Sequence, residues 1–210
     1  MTANFRRRLL AGLAAMLLLG LAMAGLYGTG WLPGNQGPCA PASGALAQVA
    51  LLARGEVAAF QVARSLEPAP MLAFEDPEGR RKTLADYQGR TVLLNLWATW
   101  CEPCRREMPA LDRLQSGLGG PNFEVVAVNI DTRNLEKPKA WLVETGVKKL
   151  AYYSDREARI FQDLRRAGQA EGMPTTLLID ARGCRLGTMA GPAEWSSPDG
   201  IALIRAALGA

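Results

Sequence analysis

The stretch Val92-Leu93-Leu94-Asn95-Leu96-Trp97, apolar except for Asn95, runs within four residues into Cys101-Glu102-Pro103-Cys104. Met108, Leu111, Leu114 and Leu118 then repeat at helical spacing. This reads as a buried strand, a tight turn and a helix with one buried face, the unit from which α/β folds are built. Cys101 falls at the helix N-terminus, where unpaired N–H groups and the helix dipole favour negative charge. A thiol placed there ionises more readily, and the thiolate is the nucleophile of disulfide exchange. Pro103 suits the first helical turn, because a missing N–H costs nothing there. Cys104 lies one turn further in, positioned to resolve a mixed disulfide formed at Cys101.

Other uses of this spacing compete with redox exchange. A zinc site needs two more ligands, but the chain has no histidine and its other cysteines, Cys39 and Cys184, stand alone in sequence. Haem attachment needs histidine after the second cysteine, where Arg105 stands. A purely structural disulfide across two residues is uncommon. The absence of histidine also removes imidazole acid–base catalysis and argues against copper chaperones of the Sco type. No metal or cofactor is expected.

The segment Trp100-Cys101-Glu102-Pro103-Cys104-Arg105-Arg106-Glu107-Met108-Pro109, with Gly172-Met173-Pro174-Thr175-Thr176-Leu177-Leu178-Ile179-Asp180 downstream, resembles proteins of the thioredoxin fold. More narrowly it resembles the TlpA/ResA-type branch of membrane-anchored extracytoplasmic thiol–disulfide oxidoreductases. The resemblance runs from about Leu66 to the C-terminus. It implies an α/β fold with a central mixed sheet flanked by helices. It further implies that Pro174 is cis, faces the active disulfide and offers backbone groups to an extended substrate.

The formal charge of +4 is concentrated before the first apolar run. With Arg6, Arg7 and Arg8 set aside, the 24 basic residues fall to 24 − 3 = 21, against 20 acidic ones, so nucleic-acid binding is not expected. Residues 9–27 are uncharged and almost wholly apolar, close to the length of a bilayer-spanning helix. The preceding arginines orient such a helix with residues 1–8 in the cytoplasm and the rest across the membrane. A cleaved signal peptide is the alternative, with Ala22-Met23-Ala24 as the small-residue site. The expected location is therefore the bacterial inner membrane, single-pass, with the domain in the periplasm, where disulfides persist.

Residues 28–64 read as a linker and a helical extension, and residues 65–210 as the thioredoxin-like domain. Ser43 is placed to cap a helix to residue 53, and a second short helix is expected over 56–63, with a flexible stalk as the alternative. Strands are expected at 71–74, 81–84, 92–97, 123–130, 150–153, 175–179 and 184–189. Helices are expected after Cys101, over 136–145 and 155–167, and from Ser197 onward. Pro109 should kink the first of these domain helices.

Thioredoxins proper carry a buried aspartate where this chain has Asn95, which cannot titrate. Glu107, three residues after Cys104 and on the same helix face, is the candidate for proton transfer or thiol tuning. ResA-type proteins carry a glutamate at this offset, and the alternative is an ordinary solvated carboxylate. Trp97 and Trp100 adjoin the cysteine pair. Cys39 and Cys184 make the count even in an oxidising compartment and are expected to form a structural disulfide pinning the N-terminal segment to a hairpin. TlpA-type proteins carry such a pair. Two free thiols, or a link to a partner, remain open.

The expected activity is exchange with disulfides of partner proteins by a monomer. The charge of Glu102 between the cysteines favours a reducing pair. The resemblance implies partners in cytochrome c or cytochrome oxidase biogenesis and electrons from a transmembrane donor. A periplasmic oxidase or isomerase, or a non-catalytic binding module, are the competing classes.

Overall fold

The structure is a computed structural model that describes Cys39 and residues 43–209. The expected tail at 1–8, membrane span at 9–27 and most of the linker lie outside the described residues. Among the described residues no helix is long and apolar enough to cross a membrane.

The apolar stretch ahead of the cysteines forms strand β4, Thr91–Trp97, and every residue in it is buried. A strand buried on both faces belongs at the centre of a sheet covered on both sides. Strand β5, Phe123–Asn129, runs parallel to β4, and strand β7, Thr175–Ile179, runs antiparallel on its other side. Helix α2, Glu102–Leu118, makes the crossover between β4 and β5. It continues through Pro109 and buries Cys104, Glu107, Met108, Leu111 and Leu114.

Strand β8, Cys184–Ala190, returns antiparallel to β7 through the turn at Asp180, whose Oδ1 accepts the N–H groups of Arg182 and Cys184. Strands β1 (Gln61–Pro68), β2 (Ala73–Glu75), β3 (Arg81–Thr83) and β6 (Tyr153–Ser154) complete a mixed sheet ordered β1-β8-β7-β4-β5-β6-β2-β3. Helices α1 (Ser43–Leu52), α3 (Lys137–Glu144), α4 (Arg159–Arg166) and α5 (Pro198–Leu208) pack around it. The fold is the thioredoxin-like mixed sheet with flanking helices.

Three local expectations are corrected. The helix expected over 56–63 is a single 3-10 turn, Gly55–Val57, followed by β1. Val57 and Phe60 are indeed buried three apart, but one turn suffices for that, and the Phe60 N–H closes it on the Val57 carbonyl. The chain then pairs with β8 at the edge of the sheet. Gly187 permits the approach, since a Cβ there would lie 2.6 Å from the Gln61 carbonyl oxygen. The sheet thus reaches into the expected extension.

The strand expected at 150–153 is reduced to Tyr153–Ser154. The N–H groups of Lys148, Lys149 and Leu150 donate instead to one oxygen of Asp112 on α2. Helix α4 begins at Arg159 rather than 155, because Ala158 takes a left-handed conformation at φ 53°. Asp155 still serves its start, accepting the Ile160 N–H at 2.7 Å.

Candidate active site

Cys101 stands at the N-cap of α2, in extended backbone, and is joined to Cys104 in a disulfide. The turn from β4 closes when the Cys101 N–H donates to the Ala98 carbonyl, and the Cys101 carbonyl then accepts from Arg105 to start the helix. The Cys104 N–H donates to Cys101 Sγ at 3.3 Å. The sulfur therefore occupies the position of a helix-capping oxygen and takes up one of the helix's unpaired donors. Cys101 keeps 5% of its surface exposed and Cys104 none, so of the two residues only Cys101 reaches the protein surface. Trp100, 64% exposed, stands beside the opening.

The Met173–Pro174 peptide is cis. Leu96 pairs with Thr175, so Pro174 lies at the end of the sheet from which β4 turns toward Cys101. Its carbonyl is already engaged by the Gly191 N–H.

Glu107 is 2% exposed, not a solvated surface carboxylate. Three donors from two parts of the chain, β4 and the segment after β8, meet it. Asn95 Nδ2 donates to Oε1 at 2.7 Å, while the Ala193 N–H and Trp195 Nε1 donate to Oε2 at 3.1 and 3.3 Å. Burial disfavours the charged form more than these donors favour it, so the carboxyl is lifted from 4.5 to about 7. Asn95 Nδ2 also donates to Thr176 Oγ1, whereas Asn95 Oδ1 has no partner. Glu102, exposed between the cysteines, forms an ion pair with Arg105 on the next turn of the helix. The charge expected to act on the cysteines is thus partly compensated.

Cys39 and Cys184 are joined in a second disulfide that spans 145 residues, both sulfurs buried. It lies at the β1–β8 edge, where Pro68 pairs with Cys184. No group of histidine, cysteine or carboxylate side chains among the described residues is arranged to hold a metal ion.

Sequence reasoning did not find Thr176, Trp195 or the cluster of Thr99, Asn129 and Asp131 beside the turn. Asn129 and Asp131 were legible as polar residues at the C-terminal end of a parallel strand, where α/β sheets place their functional loops. Trp195 gave no such signal, because the segment after β8 has no periodicity to fix which side chains point inward.

A Cys-x-x-Cys disulfide at the N-terminus of the helix following the central strand, close to a cis-proline strand end, defines a thioredoxin-like redox-type site. The family model described as AhpC/TSA matches residues 66–184, and the chain belongs to that family. Among curated proteins, the thiol-disulfide oxidoreductase ResA of Geobacillus thermodenitrificans is 36% identical over 115 residues, 55% of this chain and 63% of that protein. ResA of Bacillus subtilis is 32% identical over 116 residues, covering 55% and 61%. The chain therefore spans somewhat under two thirds of the length of these relatives. Among solved structures, a Chlorobium tepidum protein assigned as the thiol:disulfide interchange protein DsbE is 31% identical with a TM-score of 0.59. That match covers 69% of this chain and 97% of the other.

Proposed function

We propose that this protein is a membrane-tethered thiol–disulfide oxidoreductase that reduces disulfides in partner proteins. The observation that carries the reading is Cys101 Sγ at the helix cap accepting the Cys104 N–H, in the one residue of the pair that retains any exposed surface. In the reduced protein a Cys101 thiolate in that place is stabilised by the same donor and by the helix dipole.

Cys101 attacks one sulfur of a substrate disulfide. The substrate S–S bond breaks, a mixed disulfide forms, and the substrate's other sulfur leaves as a thiolate that takes up a proton. Cys104 then loses its proton and attacks Cys101 Sγ. The Cys101–Cys104 bond forms, the mixed disulfide breaks, and the second substrate sulfur leaves. Two electrons pass to the substrate. Glu107, buried three residues along the helix and lifted to about 7, is suited to accept the Cys104 proton near neutral pH. Pro174 lies at the end of the sheet from which the cysteine turn leaves, and with its own carbonyl taken by the Gly191 N–H the Met173 backbone beside it is what an extended substrate would pair with. Trp100 supplies an exposed aromatic surface at the rim.

Two features support the reducing direction. A buried carboxylate disfavours a second negative charge nearby, which weakens the thiolate form and hence the reduced state. The apolar segment 9–27 would tether the domain beside a transmembrane electron donor, with residues 1–8 in the cytoplasm and the domain in the periplasm. The TlpA/ResA resemblance favours substrates in cytochrome c or cytochrome oxidase biogenesis, served by a monomer. In this reading the Cys39–Cys184 disulfide is structural.

The test is the redox equilibrium of Cys101–Cys104 against glutathione, read by Trp fluorescence. A potential near about −270 mV, that of thioredoxin, is the expected result. A value near about −120 mV, that of a strong oxidant, would reverse the direction and remove the assembly-factor reading.

A further inference from the structure

Beside the cysteine pair lies a buried polar cluster that the exchange steps do not use. Asp131 lies two residues past the end of β5 and is 5% exposed. Its Oδ2 accepts the Thr99 N–H at 2.8 Å, and its Oδ1 accepts the Thr99 hydroxyl at 2.8 Å. Asn129 Nδ2 also donates to Oδ2 at 2.7 Å, and the Asp131 N–H returns a bond to Asn129 Oδ1 at 3.1 Å. Thr99 is two residues before Cys101, inside the turn that the Cys101 N–H closes on Ala98. That turn leaves the Thr99 N–H without a backbone acceptor, and a buried donor of this kind needs one. Both carboxylate oxygens grip one residue, so they fix its orientation as well as its position. A second tie reinforces the join, since the Ile130 N–H donates to the Trp97 carbonyl at 2.9 Å.

We infer that Asp131 is the positioning residue of the Cys101 turn: by clamping Thr99 it holds Cys101 Sγ at the cap of α2, within reach of the Cys104 N–H. The inference rests on the reading of Cys101 as the exchanging thiol. Asp131 touches neither sulfur in this arrangement, and its effect passes through Thr99 and the turn. Its charge is met by three donors, which leaves geometry as its main influence. Release of the clamp lets the turn relax, loosens the cap contact and lowers the fraction of Cys101 present as reactive thiolate near neutral pH.

The test uses the full chain in detergent, reduced with dithiothreitol, freed of reductant and alkylated with iodoacetamide at pH 7. Modification of Cys101 is followed by peptide mass mapping, which separates it from the buried Cys39, Cys184 and Cys104. Asp131→Ala removes both bonds to Thr99 and is expected to slow Cys101 alkylation about tenfold or more, the low end of what losing hydrogen bonds to a charged group produces. Thr99→Val keeps the N–H bond and loses only the hydroxyl bond, so its slowing should be smaller, about threefold. The pH at which the rate is half-maximal should rise in the same order, a readout that mere loosening of the fold does not produce. Unchanged rates in both variants would overturn the inference. Faster alkylation in Asp131→Asn, which stays close in shape but loses the charge, would also overturn it, by showing that the carboxylate acts as a repelling charge. If Asp131→Ala fails to fold, the Thr99→Val and Asp131→Asn pair decides alone. A wild-type pair that does not equilibrate with glutathione counts against the oxidoreductase reading, whereas the ratio of alkylation rates tests only the clamp.

Discussion

The buried carboxylate of Glu107 makes stability depend on pH in a direction opposite to that of most acidic residues. An ordinary carboxylate near 4.5 in the unfolded chain is lifted to about 7 in the folded one, chiefly by burial. Between those values the folded protein holds a proton that the unfolded chain has released. Stability therefore falls as pH rises through this window and levels off above it. At about 1.4 kcal/mol per unit, the lift from 4.5 to about 7 corresponds to a loss of roughly 3 kcal/mol. The chain has no histidine, so few other side chains titrate between pH 5 and 8 to obscure the effect. Glu107→Gln keeps the shape and cannot ionise. All three partners of the carboxylate are donors, but Asn95 can turn its amide and offer the unpartnered Oδ1 to the new Gln N–H. The assay is guanidinium unfolding of both oxidised proteins from pH 4.5 to 8. The expected result is a wild type that loses about 3 kcal/mol relative to the variant across that span. A flat difference curve, or a wild type that gains on the variant as pH rises, would refute the argument.

Three shorter predictions follow from the same contacts. Trp195→Phe removes a donor that favours the charged form of Glu107, so the midpoint of the pH effect should move above that of the wild type in the same unfolding series. Replacing Cys39 and Cys184 by serine opens a 145-residue loop, which corresponds to up to about 5 kcal/mol in the chain-entropy model. Guanidinium midpoints should drop accordingly, while the glutathione equilibrium of Cys101–Cys104 stays unchanged. Gly187→Ala forces a methyl to within 2.4 Å of the Phe60 ring and 2.6 Å of the Gln61 carbonyl. It should cost about 2 kcal/mol by thermal denaturation and speed amide exchange along β1, since backbone has to move.

The central strand, the cysteine turn, the crossover helix and β5 were legible because each carries its own signal. These are an unbroken apolar stretch, the Cys-x-x-Cys spacing, the helical repeat of Met108, Leu111 and Leu114, and a second apolar run. The first segments of the domain were less legible. Val57 and Phe60 repeat at a spacing that suits one turn of helix as well as several, and only the docking of β1 against Gly187 decides between them. At 148–150 the backbone donors pair with a side chain 36 or more residues away, a competition no local pattern can report. Likewise, the left-handed Ala158 shortens α4 without any glycine to announce it.

Asn95 shows how a correct residue-level statement can still miss the chemistry of a site. It cannot titrate, and read alone it removes the proton route that a strand aspartate would provide. In the structure it donates 2.7 Å to Glu107, the carboxylate carried by the facing helix. Strand and helix together therefore supply one buried acid whose charge is tuned from both sides. Burial raises its affinity for the proton, and the donors from Asn95, Ala193 and Trp195 lower that affinity by favouring the charged form. A strand aspartate with no such donors would be raised further and would stay protonated at working pH. An acid at about 7 keeps both protonation states available near neutral pH, which suits the proton-accepting role proposed for Glu107. The unpartnered Asn95 Oδ1 fits the same account. It is an acceptor without a donor while Glu107 is ionised, and an amide turn gives it one when Glu107 is protonated.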